Sequence, residues 1–174
     1  MRTTSGRAEP IQVGTTFLCV LQATRSACEW PILPGTYVLG LHLREDREVT
    51  VGRFGTFAFS AGLYAYVGSA CGPGGLRARL ERHWRGPRRS HWHVDYLRHV
   101  ASLQWVIWQT APELECSWSQ TLAAFPGAFA PVPGFGATDC RHGCPAHLFL
   151  LPPQADPLAV AAWLAEKVPS TLLI

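Results

Sequence analysis

The stretch GTYVLGLHLREDREVTVGRFGTFAFSAGLYAYVGS (35–69) decides the fold. Tyr37, Leu39, Leu41 and Leu43 recur at every second position, the period of a half-buried strand, and residues 36–43 are predicted as one. Arg44 to Arg47 is a charged turn. Residues 49–59 read as one or two short strands around Gly52 and Gly55, and residues 63–69 as a further strand ended by Gly68. The connections leave no room for crossover helices, so an antiparallel meander is expected. Such a meander can bring Tyr37 and Tyr66 to one sheet face. Core packing explains either tyrosine alone equally well.

Downstream, Gly72 to Gly75 is a loop. GLRARLERHWR (75–85) has Leu76, Leu80 and Trp84 on one helical stripe and is stopped by Gly86-Pro87. Residues 91–100 are predicted as a second short helix, 103–110 as a strand and 113–125 as a helix. Residues 131–145 form a long irregular loop, and 146–152 a strand. Asp156-Pro157 opens a final helix that reaches about residue 168. Strands first, then mixed helices and strands, predict an α+β fold with a small central antiparallel sheet flanked by helices. Residues 1–30 read as an N-terminal tail or extension without an assignable role, and 31–174 as one domain.

The chain has 174 residues, 48% of them hydrophobic and 16% charged. That composition builds a core and excludes an intrinsically disordered chain. No apolar run reaches the length of a membrane span. The six cysteines show no disulfide-scaffold spacing, and the mildly apolar stretch from Ile11 to Ala23 is interrupted by Thr15, Thr16 and Gln22. No signal peptide is read, and the expected setting is a reducing cytoplasm.

Net charge is +3, and fourteen of the fifteen basic residues are arginine. A GC-rich genome would favour arginine by itself, but the distribution says more. Arg77, Arg79, Arg82, Arg85, Arg88 and Arg89 crowd into one segment with Glu81 the only acid among them. Such a cluster points to a polyanion.

The order of motifs then resembles the GIY-YIG nuclease superfamily. More narrowly, it is similar to the uncharacterised GIY-YIG-like family sometimes fused to endonuclease III. The likeness rests on GTYVLGL, GLYAYVGSA, HWHVDYL, PGFGATDC and CPAHLF, over roughly residues 33–152. It implies a DNA endonuclease, with DNA repair as a setting and one Mg²⁺ or Mn²⁺ ion as cofactor. By resemblance, Tyr37 activates the attacking water, Tyr66 supports that water or the scissile phosphate, and Arg79 is the catalytic arginine. His83 falls one turn later, near the phosphate, and Glu115 is the metal-binding carboxylate, with Glu113 two residues away. The superfamily's later Asn has no counterpart, because the chain contains no Asn. A non-catalytic nucleic-acid-binding module that kept the fold is the alternative.

These residue types suit phosphodiester hydrolysis. Arg79 can donate two hydrogen bonds to a phosphate. One carboxylate suffices for Mg²⁺, which keeps most of its waters. A tyrosine with a free pKa of about 10 is a poor base unless nearby positive charge stabilises the phenolate. The remaining arginines of the cluster, Arg77, Arg82, Arg85, Arg88 and Arg89, are candidate phosphate contacts; RNA is an alternative ligand to DNA.

Further candidates lie outside that set. His91 and Asp95 stand one helical turn apart, so the carboxylate could orient an imidazole, with His93 between them. A polar helix start explains Asp95 more simply. Cys140, His142, Cys144 and His147 offer four soft ligands within eight residues. Zinc accepts such sets, but structural sites usually place two ligands on either side of a longer loop. The plainer reading is a turn-rich loop with ordinary thiols and little bound zinc. Alternatively, Asp139 and His147 approach the tyrosines and extend the site. Phe135, between two glycines, could stack on a base, though loop rigidity accounts for it as well.

Overall fold

The computed structural model describes residues 8–21 and 28–166. An α+β fold is observed. Six antiparallel strands run β1 (Ile11–Val13), β2 (Thr16–Val20), β3 (Gly35–Leu43), β6 (Gly62–Ala70), β7 (Ser102–Gln109) and β8 (Leu148–Leu150). Their order in the sheet is β1-β2-β7-β3-β6-β8. The meander expected from the sequence is corrected. β4 (Arg47–Val51) and β5 (Gly55–Phe59) leave the sheet as a separate hairpin, so β3 pairs directly with β6.

Residues 11–20, to which the sequence assigns no element, supply two strands, with β2 pairing to β7 from Phe17–Trp108 to Val20–Trp105. Cys19 is joined to Cys28 in a disulfide, which the scattered cysteine spacing does not announce. Residues 1–7 and 22–27 of the expected N-terminal tail or extension lie outside the described residues, as does the end of the predicted last helix.

β3 is predicted to be half-buried, yet both of its faces are covered. On one side Tyr37, Leu39, Leu41 and Tyr66 pack with Leu76 and Leu80 of α1 (Gly75–Arg85), Val94 and Leu97 of α2 (His93–Arg98), and Phe135. On the other side Val38, Val67, Trp105 and Ile107 pack with Trp118 and Leu122 of α3 (Glu115–Ala123) and Val160 and Leu164 of α4 (Pro157–Glu166). A central strand covered twice needs apolar side chains at both parities, as β3 has.

Register places the two tyrosines relative to each other. Tyr37 stands opposite Gly68, and Leu39 opposite Tyr66, so both tyrosines share one face. A Cβ on Gly68 would sit 2.5 Å from the Tyr37 hydroxyl, so the missing side chain is what lets that ring cross β6. Among the described residues no helix is long and apolar enough to cross a membrane.

Candidate active site and thiol cluster

Where β3 begins and β6 ends, a cavity of about 590 Å³ opens. Its wall draws Tyr37 from β3, Tyr66, Gly68 and Ser69 from β6, Arg79 from α1, and Glu115 and Cys116 from the first turn of α3. Trp92, Asp139, Cys140 and His147 are among the other residues that line it. Residues spread over about a hundred positions thus face one space.

Both tyrosines are nearly closed off, with Tyr37 2% and Tyr66 6% exposed. Burial raises the pKa of each, and the Arg79 charge only partly offsets it. Both are phenols at neutral pH. The Tyr37 hydroxyl lies 3.0 Å from His83 Nε2. Burial, with Arg82, Arg79 and Arg98 nearby, lowers the His83 pKa to about 3 despite the Asp95 charge, so this imidazole is neutral. His83 therefore stands behind Tyr37, away from the cavity wall.

Glu115 is held differently. Ser69 Oγ donates to Glu115 Oε2 at 2.9 Å, and His147 Nδ1 lies 3.5 Å from Oε1. Partial burial acts to raise its pKa, but the His147 and Ser69 contacts and the Arg79 charge win and hold it low. The carboxylate is ionised and still 31% exposed toward the cavity. The cavity leaves room around this carboxylate for water.

Arg79 and Arg82 both lie against the Trp92 ring, with guanidinium carbons 4.1 and 4.2 Å from its centroid. Arg82 is not a free phosphate ligand. It grips Asp95 through two bonds of 2.9 and 2.8 Å. Asp95 Oδ2 also accepts the backbone N–H groups of His91 and Trp92. Of the two readings open for Asp95, the polar helix start is the one observed: Asp95 caps the start of α2, and the His91 ring is exposed against Trp92. Arg77 Nε donates to the Trp30 carbonyl. Arg82, Arg85, Arg88, Arg89 and His91 line a second cavity of about 730 Å³.

His93 stacks on Phe54 and accepts the Gly136 N–H, outside the first cavity. Phe135 is fully buried against Phe59 and Tyr66, which fits the structural reading of this loop and leaves no face free for a base.

The sequence reading missed three residues of this region: Ser69, Trp92 as a cavity wall, and Cys116. Cys116 completes a cluster with Cys140, Cys144 and His147, whose four ligand atoms all lie within 4.8 Å of one another and could hold a metal ion. His142 belongs instead to the exposed rim, with Nδ1 3.4 Å from Cys116 Sγ. Burial acts to raise the Cys140 pKa, but the backbone N–H groups of Cys144 and His142, with the neighbouring thiols, bring it down to about 6.

Residues 36–168 match the family described as "Domain of unknown function DUF123", and the chain belongs to that family. No curated protein and no solved structure matches the chain.

Proposed function

We propose that the protein is a GIY-YIG-like, metal-dependent endonuclease that hydrolyses DNA phosphodiester bonds, with DNA repair as its setting. The observation that carries this reading is the convergence of Tyr37, Tyr66, Arg79 and Glu115 on one cavity wall. Held by Glu115, a Mg²⁺ or Mn²⁺ ion would supply Lewis-acid charge at the phosphoryl oxygens. Arg79, steadied against Trp92, donates hydrogen bonds to the same phosphate. Tyr37 uses its hydroxyl to orient a water, while neutral His83 fixes the direction of that hydroxyl from behind. Tyr66 lines the same wall and limits where the water can sit. Arg85, Arg88 and Arg89 extend a basic track for the flanking strand.

The burial of both tyrosines favours a second reading, a nucleic-acid-binding module in which they only pack. A cleavage assay on duplex, branched and damaged DNA with Mg²⁺ or Mn²⁺ separates the two. Cleavage that chelator abolishes supports the enzyme; binding without cleavage across those substrates supports the module.

A further inference from the structure

We propose that Cys116, Cys140, Cys144 and His147 form a closed structural zinc site that ties the first turn of α3 to the 131–147 loop. The inference stands apart from the nuclease reading, because it needs only these four side chains. Three thiols and an imidazole are a donor set that zinc takes in tetrahedral structural sites. Sulfurs at about 2.3 Å from a shared zinc stand about 3.8 Å apart. Cys116 Sγ and Cys140 Sγ lie 3.5 Å apart, and all four donor atoms lie within 4.8 Å of one another. The four residues therefore need only small shifts to close on one ion.

A second observation points the same way. His147 is 4% exposed, and its ring nitrogens make no close hydrogen bond; Nδ1 has only the 3.5 Å approach to Glu115 Oε1. Buried polar atoms are rarely left in that state, so an imidazole placed like this calls for a ligand. Nδ1 faces Glu115 at 3.5 Å, which leaves Nε2 for the metal. A carboxylate behind a ligating histidine is the usual arrangement for fixing its tautomer and ring plane.

The chain geometry supplies the reason for such a site. The 131–147 segment is long, irregular and rich in turns, and its positive-φ Gly143 lets the chain reverse between Cys140 and Cys144. A cross-link from this loop to Cys116 adds to the turn hydrogen bonds that hold it, such as Gly134 N–H to the Pro145 carbonyl and His147 N–H to the Phe135 carbonyl. It also fixes Glu115, the residue next to Cys116, relative to the cavity. Zinc here positions the carboxylate and touches no substrate.

The test uses the full untagged chain, purified under reducing conditions without added metal or chelator. Elemental analysis should find about one zinc per chain, and titrating the thiols with a mercurial should release it in step. Cys140→Ser and Cys116→Ser should each bring bound zinc below about a tenth per chain and lower the melting temperature. These variants can fail to fold, so the parent carries an independent arm. Cobalt(II) added to the stripped parent should give the visible absorption of a tetrahedral thiolate site, and zinc should quench it. Parent protein that binds neither zinc nor cobalt overturns the proposal. So does zinc retained by a folded Cys116→Ser/Cys140→Ser double variant, or a Cys116–Cys140 disulfide found by mass spectrometry as the resting state.

Discussion

Tyr37 and His83 meet through a buried 3.0 Å hydrogen bond although they stand on different elements, one at the start of the central strand and one near the end of α1. Neither is charged at neutral pH, and burial is the main cause of the shift in each pKa, upward for Tyr37 and downward for His83. The pair therefore couples the helix that carries Arg79 to the strand that carries Tyr37.

That pair predicts a pH dependence of stability. An unfolded histidine titrates near pH 6.5, whereas His83 in the folded chain titrates at about 3. Between those values the unfolded chain binds the extra proton, so stability falls as pH drops through this window. The expected slope from one group is about 1.4 kcal/mol per pH unit. Buried carboxylates such as Asp95 add their own loss only in the lower part of the range. Urea midpoints between pH 7 and 5, measured for the parent and for His83→Phe, should show a shallower slope in the variant. Equal slopes would mean that His83 is protonated without penalty.

Gly68 should tolerate no side chain. An alanine Cβ there would lie 2.5 Å from the Tyr37 hydroxyl and 2.6 Å from Cζ. Gly68→Ala should cost about 1–3 kcal/mol as overpacking, and Tyr37→Phe should not relieve it, because the ring itself is in the way. Tyr37→Leu should recover part of the loss. A Gly68→Ala protein as stable as the parent would show that the ring can move aside.

The arginine cluster should divide into two groups. Asp95 is fully buried and holds Arg82 and two backbone N–H groups, so Asp95→Ala should destabilise by about 3–5 kcal/mol. Arg82→Ala should also act mainly on stability. Arg85, Arg88 and Arg89 face the second cavity, and their joint replacement by Gln should leave the melting temperature nearly unchanged. If they contact phosphates, that triple variant should flatten the slope of log affinity against log salt by about 2–3. A slope identical to the parent's would remove this face from the nucleic-acid contact.

The pattern of these residues explains which parts of the fold are legible in the sequence. Alternation announces β3 and β6, because large apolar groups at odd positions of β3 face even positions of β6 across one core. It does not announce that β4 and β5 leave the sheet, since a hairpin looks alike whether or not it joins its neighbours. TFLCV (16–20) is too short and too evenly apolar to show its period, so β2 emerges only through its pairing with β7. The site was legible where a motif carried it, as at Tyr37, Tyr66 and Arg79. Cys116 was not, because its partners lie 24 and more residues downstream and only the fold of α3 against the loop brings the sulfurs together. Asp95 was legible in part. Its spacing from His91 left a side-chain pair open beside the simpler helix cap; the carboxylate takes the cap and, unannounced by the spacing, the Arg82 guanidinium.

Catalysis offers the sharpest division of roles among the cavity residues. Glu115→Ala should abolish metal-dependent DNA cleavage, and binding of the same DNA should persist, since phosphate contact rests on the arginines. Glu115→Gln keeps the Ser69 hydrogen bond but loses the charge, so it should be as inactive as the alanine variant if the carboxylate's task is to hold a cation. Arg79→Ala should lower the rate constant by about 10²–10³, the usual loss for one preorganised donor at a site of developing charge. Tyr37→Phe preserves the ring over Gly68 and deletes only the hydroxyl that meets His83. Single-turnover rates with saturating enzyme read this step apart from binding. A Tyr37→Phe protein that cleaves at the parent rate makes that tyrosine a packing residue, and a large loss with unchanged affinity gives its hydroxyl the water-orienting task.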